Sequence, residues 1–258
     1  ANGVIDDIYG VNFTTNPPSG SAASVSYAEH GTHVSGFIGA ETNNNLGVSG
    51  IMGPNVKILP LALWPVVVPF FQDGSTVQEY TSGPMSHVDQ AIRFATDSGA
   101  NVINISMAGD ELSPNIEDAL HYAVDHGTIV VVAAANDAKE ISPSFTPVPA
   151  YYAKDIDGVI AVAATDSQAG GVGALCRFSN WSQTYVEMAA PGCDMSVFTI
   201  YGGYGILSTI PPGTDPTYSA YGFIQGTSMA SPIGAGTALY TYALLKEVAH
   251  VNPTPALV

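Results

Sequence analysis

"ANVINISMAGDELSPNIEDALHYAVDHGTIVVVAAAN", residues 100–136, is the stretch that decides the fold. It opens and closes on short apolar runs, 100–107 and 127–135, rich in β-branched residues and apolar on both faces. Strands of a parallel sheet covered on both sides require that composition. Between them, "SPNIEDALHYAVDHG" (113–127) repeats apolar residues at helical spacing, with Ser113 where an N-cap belongs and Gly127 where a C-terminal cap belongs. A strand, a helix and a second strand in this order predict a right-handed crossover between parallel neighbours.

Outward from this unit the alternation continues. "GVIAVAATD" (158–166) and "VKILPLALW" (56–64) read as further strands, and "MSHVDQAIRFATDSGA" (85–100) as another helix with Ser86 at its N-cap. The pattern predicts an α/β fold: a doubly wound, mostly parallel central sheet with helices on both faces. Such sheets carry their sites at the carboxyl ends of strands. That rule singles out Ser106, Met107 and Ala108 after the first run, and Ala134, Ala135 and Asn136 after the second. No internal repeat or linker interrupts the chain, so residues 1–258 read as a single domain.

Six Lys+Arg against 22 Asp+Glu give a formal charge of −16. A surface this acidic repels phosphate backbones, which excludes nucleic-acid binding through a basic face. No apolar run is long enough to span a membrane, and no signal-peptide pattern is present. The two cysteines, Cys176 and Cys193, flank "RFSNWSQTYVEMAAPG"; that segment either folds back and pairs them or leaves two buried thiols. Asn12-Phe-Thr and Asn180-Trp-Ser fit the glycosylation pattern, whereas Asn104-Ile-Ser fits it inside an apolar run.

The chemistry concentrates in "FIQGTSMASPIGAG" (223–236). A nucleophilic serine needs an exposed hydroxyl, a free backbone N–H and a nearby base. Ser228 at the start of a helix meets the first two needs, because the first N–H groups of a helix lack partners. Pro232 is expected in the first turn, where its missing N–H costs nothing. A plain serine N-cap would explain the same residues. "EHGTHVSGFIGA" (29–40) adds a histidine, His30, at another glycine-flanked helix start, as a general base requires. His33 reads as structural, and His87, His121, His126 and His250 as surface residues.

"HGTHVSG" and "GTSMASP" resemble the histidine and serine signatures of the subtilisin-like serine peptidases, the subtilases. The similarity extends through "NNNLGVSGI", "NVINISM", "VVVAAAN", "VIAVAATD" and "FSNWS…AAPG", in family order and over nearly the whole chain. The resemblance implies a subtilisin-like α/β fold and a secreted serine endopeptidase acting on proteins or peptides. It implies Ser228 as nucleophile, His30 as general base and Asn136 as oxyanion-hole donor. It further implies that Ser106–Ala108 pairs with extended substrate and, with Ala134 and Ala135, walls the specificity pocket. Two departures stand out, since the family usually carries glycine at the positions of Ala108 and Ala135. A non-catalytic, peptide-binding domain of the same fold is the alternative; an esterase lacks support, because no G-x-S-x-G surrounds Ser228.

The family orders its triad Asp, His, Ser, and the aspartate fixes the histidine. Before Glu29 the only acidic residues are Asp6 and Asp7, in "NGVIDDIYGVNF". That stretch is similar to the second half of a family calcium loop, with Asn2, the Val4 carbonyl and Asp6 or Asp7 as remaining ligands. Asp6 or Asp7 as the triad aspartate is the lesser alternative; the aspartate is expected instead in an N-terminal segment or propeptide, and the chain, which stops at "HVNPTPALV", reads as cut at both ends. "ETNNNLGVSG" (41–50) resembles a second calcium loop, with the Asn44 side chain and the Thr42, Leu46 and Val48 carbonyls as ligands, or else an Asn/Gly-rich turn. No cofactor is expected for catalysis; structural calcium is.

Overall fold

The computed structural model describes residues 10–14, 18, 29–63, 85, 87–167, 173–194, 205–211 and 220–258. Asp6, Asp7, Asn2, Val4 and Ser86 lie outside the described residues.

Four parallel strands form the central sheet in the order β3-β4-β5-β6: β3 Val102–Ile105, β4 Ile129–Ala133, β5 Val159–Asp166 and β6 Met188–Cys193. A short parallel pair, β1 Val11–Asn12 with β2 Leu61–Ala62, and an antiparallel pair, β7 Ile206–Thr209 with β8 Tyr221–Ile224, lie outside it. Within the described part of the 56–64 run only residues 61 and 62 have strand partners, and the Pro60 and Ala62 carbonyls accept from the Val11 and Phe13 N–H groups. The four helices are α1 Glu29–Gly39, α2 Val88–Asp97, α3 Pro114–Asp125 and α4 Thr227–Ala243.

Strand alternation divides the core in two. Val130 and Val132 point to the side covered by α2 and α3, where Ile92, Ile116, Ala119 and Leu120 are buried. Ile129 and Val131 point to the opposite side and meet Ala230, Ala235 and Ala238 of α4. Helices thus cover both faces, and β4, buried along its whole length, is apolar throughout.

Ser113 caps α3 as expected, its Oγ accepting from the Ile116 N–H at 3.4 Å, with Pro114 in the first turn. Helix α2 begins one residue later than a Ser86 cap requires; His87, half-buried and with φ 87°, precedes it and makes no side-chain cap. Small residues let α4 lie close to the sheet: a Cβ at Gly234 would stand 3.0 Å from Val162 Cγ2 and 3.1 Å from Met188 Sδ. Cys176 and Cys193 are joined in a disulfide that ties the segment after β5 to the end of β6. Asn12 and Asn180 are 6% and 0% exposed, so neither sequon offers a side chain to a glycan in the folded protein.

Candidate functional site

Ser228, half-buried, is the second residue of α4. Gly226 precedes the helix with φ 153°, a region nearly closed to residues with a Cβ. Its N–H donates to the Gly192 carbonyl at 2.9 Å, which fastens the turn to β6. The Ser228 N–H has no acceptor among the described residues, as its place in the first turn dictates.

Pro232 is the sixth residue of α4, well inside it rather than in its first turn. Lacking an N–H, it leaves the Ser228 carbonyl without its i+4 donor. The Ser106 hydroxyl takes that place, donating to the Ser228 carbonyl at 2.9 Å. In return the Ser228 hydroxyl donates to the Ser106 carbonyl at 3.3 Å. Asn104 Nδ2 donates to Ser106 Oγ at 2.9 Å, and Asn104 Oδ1 accepts from the buried Ser231 hydroxyl at 2.7 Å. A closed polar chain thus joins the end of β3 to the first two turns of α4. Sequence reasoning missed it, although Pro232 signalled an orphan carbonyl four residues earlier.

Asn136 lies just past the end of β4. Its Oδ1 accepts from the Thr227 N–H at 2.9 Å and the Thr227 hydroxyl at 3.0 Å, which leaves the Nδ2 donors outward. The Cβ that Gly226 lacks would stand 3.5 Å from Ser228 N and 3.6 Å from Asn136 Nδ2. Two donors therefore flank one point beside Gly226, and glycine keeps that point open.

The other residues expected to wall the site divide. Ala134 is 0% exposed and belongs to the core, so it presents no side chain to a ligand. Met107 likewise packs against that core, and Ala108 is half-buried. Ala135 takes φ 72°, the left-handed conformation that a glycine there would adopt freely. The methyl is thus held on a strained backbone.

His30 opens α1, which packs against α4 and β7. Its side chain reaches solvent and forms no hydrogen bond among the described residues, including none to Ser228. Neighbouring protein partly desolvates the ring and lowers its pKa from the usual histidine value. One turn on, His33 is 0% exposed, its Nε2 3.0 Å from the Gly222 carbonyl and its ring edge-on to Phe37. Desolvation lowers the His33 pKa to about 4, against opposing pulls from the Gly222 and Ile206 backbone. Ser208 and Thr209 hydroxyls donate to the His33 and Thr32 carbonyls at 2.7 and 2.9 Å, pinning α1 to β7. Among the remaining histidines, His121, His126 and His250 are exposed and His87 is half-buried.

The 41–50 segment is a turn-rich loop in which Asn43, Asn45 and Gly47 have positive φ. Asn44 Oδ1 accepts from the Leu46 N–H at 3.0 Å, an Asx turn. Calcium favours carboxylate oxygens, and the set of Thr42, Asn44, Leu46 and Val48 contains none. No group of three metal-ligating side chains occurs among the described residues.

No helix of the described residues is long and apolar enough to cross a membrane. A family model described as the Subtilase family matches residues 5–255. The thermophilic serine proteinase of Bacillus sp. (strain AK1) is 38% identical over 209 residues, 81% of this chain and 41% of the relative. An extracellular protease of Xanthomonas campestris pv. campestris is 38% identical over 249 residues, 92% of this chain and 35% of the relative. A solved protease from Pseudoalteromonas arctica PAMC 21717 superposes with a TM-score of 0.64 at 32% identity, covering 88% of this chain and 60% of that one. This chain thus spans less than half the length of those two curated relatives.

Proposed function

The chain belongs to the subtilase family, and from that premise we propose that it is a serine endopeptidase domain. Ser228 is its nucleophile, His30 its general base, and the Ser228 N–H with Asn136 Nδ2 its oxyanion donors. The observation that carries this reading is the pair of donors flanking one open point at Gly226, with the Ser228 hydroxyl two residues on. A peptide carbonyl seated there is attacked by Ser228 Oγ, whose proton passes to neutral His30. The developing oxyanion is held by the two N–H groups. His30 then protonates the leaving amine, and water hydrolyses the acyl-enzyme. For this the Ser228 hydroxyl turns from the Ser106 carbonyl to His30. Extended substrate adds as a strand along 106–108.

The carboxylate that orients His30 is assigned to a segment N-terminal to it, as the family order Asp, His, Ser requires. We further propose that the protein acts outside the cell. An extracellular relative and a disulfide, which oxidising compartments maintain, support this.

The rival reading, a peptide-binding domain without turnover, is favoured by one observation: Ser228 Oγ is engaged with Ser106, and among the described residues no bond joins it to His30. Labelling of Ser228 by a fluorophosphonate, in this chain and in an N-terminally extended form, separates the two. Labelling of the extended form is expected; labelling of neither would leave the binding domain.

A further inference from the structure

We propose that Asn180 is a positioning residue for the oxyanion side of the site, clamping the turn 134–139 that presents Asn136; this rests on the role proposed above for Asn136. Asn180 lies 43 residues from that turn in sequence and is 0% exposed. Its backbone N–H donates to the Ala135 carbonyl at 3.0 Å. Its Nδ2 donates to the Ala134 carbonyl at 2.8 Å and to Asp137 Oδ2 at 3.0 Å. Its Oδ1 accepts from the Asp137 and Lys139 N–H groups at 2.9 and 3.1 Å. Both amide hydrogens and both oxygen lone pairs are thereby used, on residues either side of Asn136 and never on Asn136 itself.

The turn needs such a clamp. Ala135 and Ala138 both have positive φ, at 72° and 55°, so the segment reverses twice and follows neither helix nor strand. Its Asp137 and Lys139 N–H groups have no ladder to join, and Asn180 supplies the acceptor for both. Only an asparagine gives two donors and a doubly accepting oxygen at this reach. Aspartate cannot donate, serine is too short, and glutamine is one methylene too long. Asn180 is itself anchored, since the Ser179 hydroxyl donates to the Asn180 carbonyl at 2.8 Å and accepts from the Ala164 N–H of β5 at 2.9 Å. The central sheet is thus connected through Ser179 and Asn180 to the turn, and through Asn136 and Thr227 to the nucleophile helix.

The test is the rate of Ser228 labelling by a fluorophosphonate, whose phosphoryl oxygen occupies the oxyanion position, together with turnover of a fluorogenic peptide amide. Asn136→Ala is expected to slow labelling roughly 10²-fold. Asn180→Ala should slow it about tenfold or more, through kcat with KM held within about twofold. Asp137→Ala, on an exposed side chain, removes one arm and should cost about two- to fivefold, on the scale of a single hydrogen bond. Placed on top of Asn136→Ala, Asn180→Ala should add less than about twofold, because it acts through the residue already removed. Full additivity, or wild-type rates in both Asn180→Ala and Asp137→Ala, would overturn the clamp.

Hydrogen exchange separates this outcome from failure of the underlying reading. If Asn136→Ala labels normally, or the wild type labels in no form, the oxyanion assignment falls. The Asp137 and Lys139 amides then decide the clamp alone: protection lost in Asn180→Ala sustains it, and protection retained removes it. Should Asn180→Ala not fold, Asp137→Ala carries the test, and unchanged labelling with unchanged exchange counts against the proposal.

Discussion

The two halves of the site are built by opposite means. On the Ser228 half, side chain meets side chain: Ser106, Asn104 and Ser231 lock the start of α4 to β3, and Thr227 sets the Asn136 amide. On the His30 half no bond to the ring is formed among the described residues, and the helix that carries it is held through His33, Ser208 and Thr209. Electrostatic stabilisation works through dipoles fixed before the reaction, so the first half is ready as it stands. The role proposed for His30 needs orientation as well as a suitable pKa, and among the described residues nothing bonds its ring. The proposed oxyanion half is held by residues of the described core, and the proposed base half by its helix alone.

The largest break in that comparison is expected from Ser228→Ala, which should abolish fluorophosphonate labelling and lower peptide hydrolysis by on the order of 10⁴-fold or more. Retained hydrolysis would move the nucleophile elsewhere. Asn136→Ala comes next, with a loss of roughly 10²–10³ in kcat and little change in KM, measured on a fluorogenic peptide amide.

The third expectation concerns the base half and pH. His33 has its pKa lowered to about 4, against 6.5 unfolded. Between those values the unfolded chain binds a proton that the folded one does not. The His33 contribution to stability is therefore full above about pH 6.5, is lost progressively as pH falls towards about 4, and is constant below. The span amounts to about 3 kcal/mol. Urea midpoints at pH 8, 6 and 4.5 should decline in that order, and His33→Gln should flatten the decline. An equally steep decline in that variant would assign the acid sensitivity to other groups.

The smallest effect is the sharpest probe of the oxyanion half. Ala135→Gly relieves a left-handed alanine and should raise stability by about 1 kcal/mol, read as an upward shift in Tm with the fold unchanged. A drop in Tm would mean that the methyl is packed to advantage.

The central strands were legible in the sequence because burial on both faces removes polar alternation, and β3, β4 and β5 fall within runs marked by that criterion alone. Helix α3 carried its own cap in Ser113. The run 56–64 misled because apolar content does not guarantee a pairing neighbour, and only residues 61 and 62 have one. The pair β7–β8 was not anticipated; its glycines and hydroxyl residues carry no period of two. At the site, Ser228 and Asn136 could be placed from local signals, a helix start and a strand end. Asn180 was read as a sequon and Asn104 as part of an apolar run, because each owes its function to partners far along the chain. Such partners leave no periodic trace.

Helix α4 lies against β3, β4, β5 and β6 at once, and its first turn holds Ser228. During synthesis every one of those strands leaves the ribosome before residue 227 does. Ser228 therefore reaches Asn136 and Ser106 only after nearly the whole sheet has been made, and on the function proposed above a nascent chain lacking α4 has no nucleophile. Such a chain would expose the apolar face formed by Ile129, Val131 and Val162, and dye binding to a fragment ending at residue 226 would reveal it. The placement of one helix thus orders events in time, so that synthesis of the sheet precedes assembly of the site proposed around Ser228.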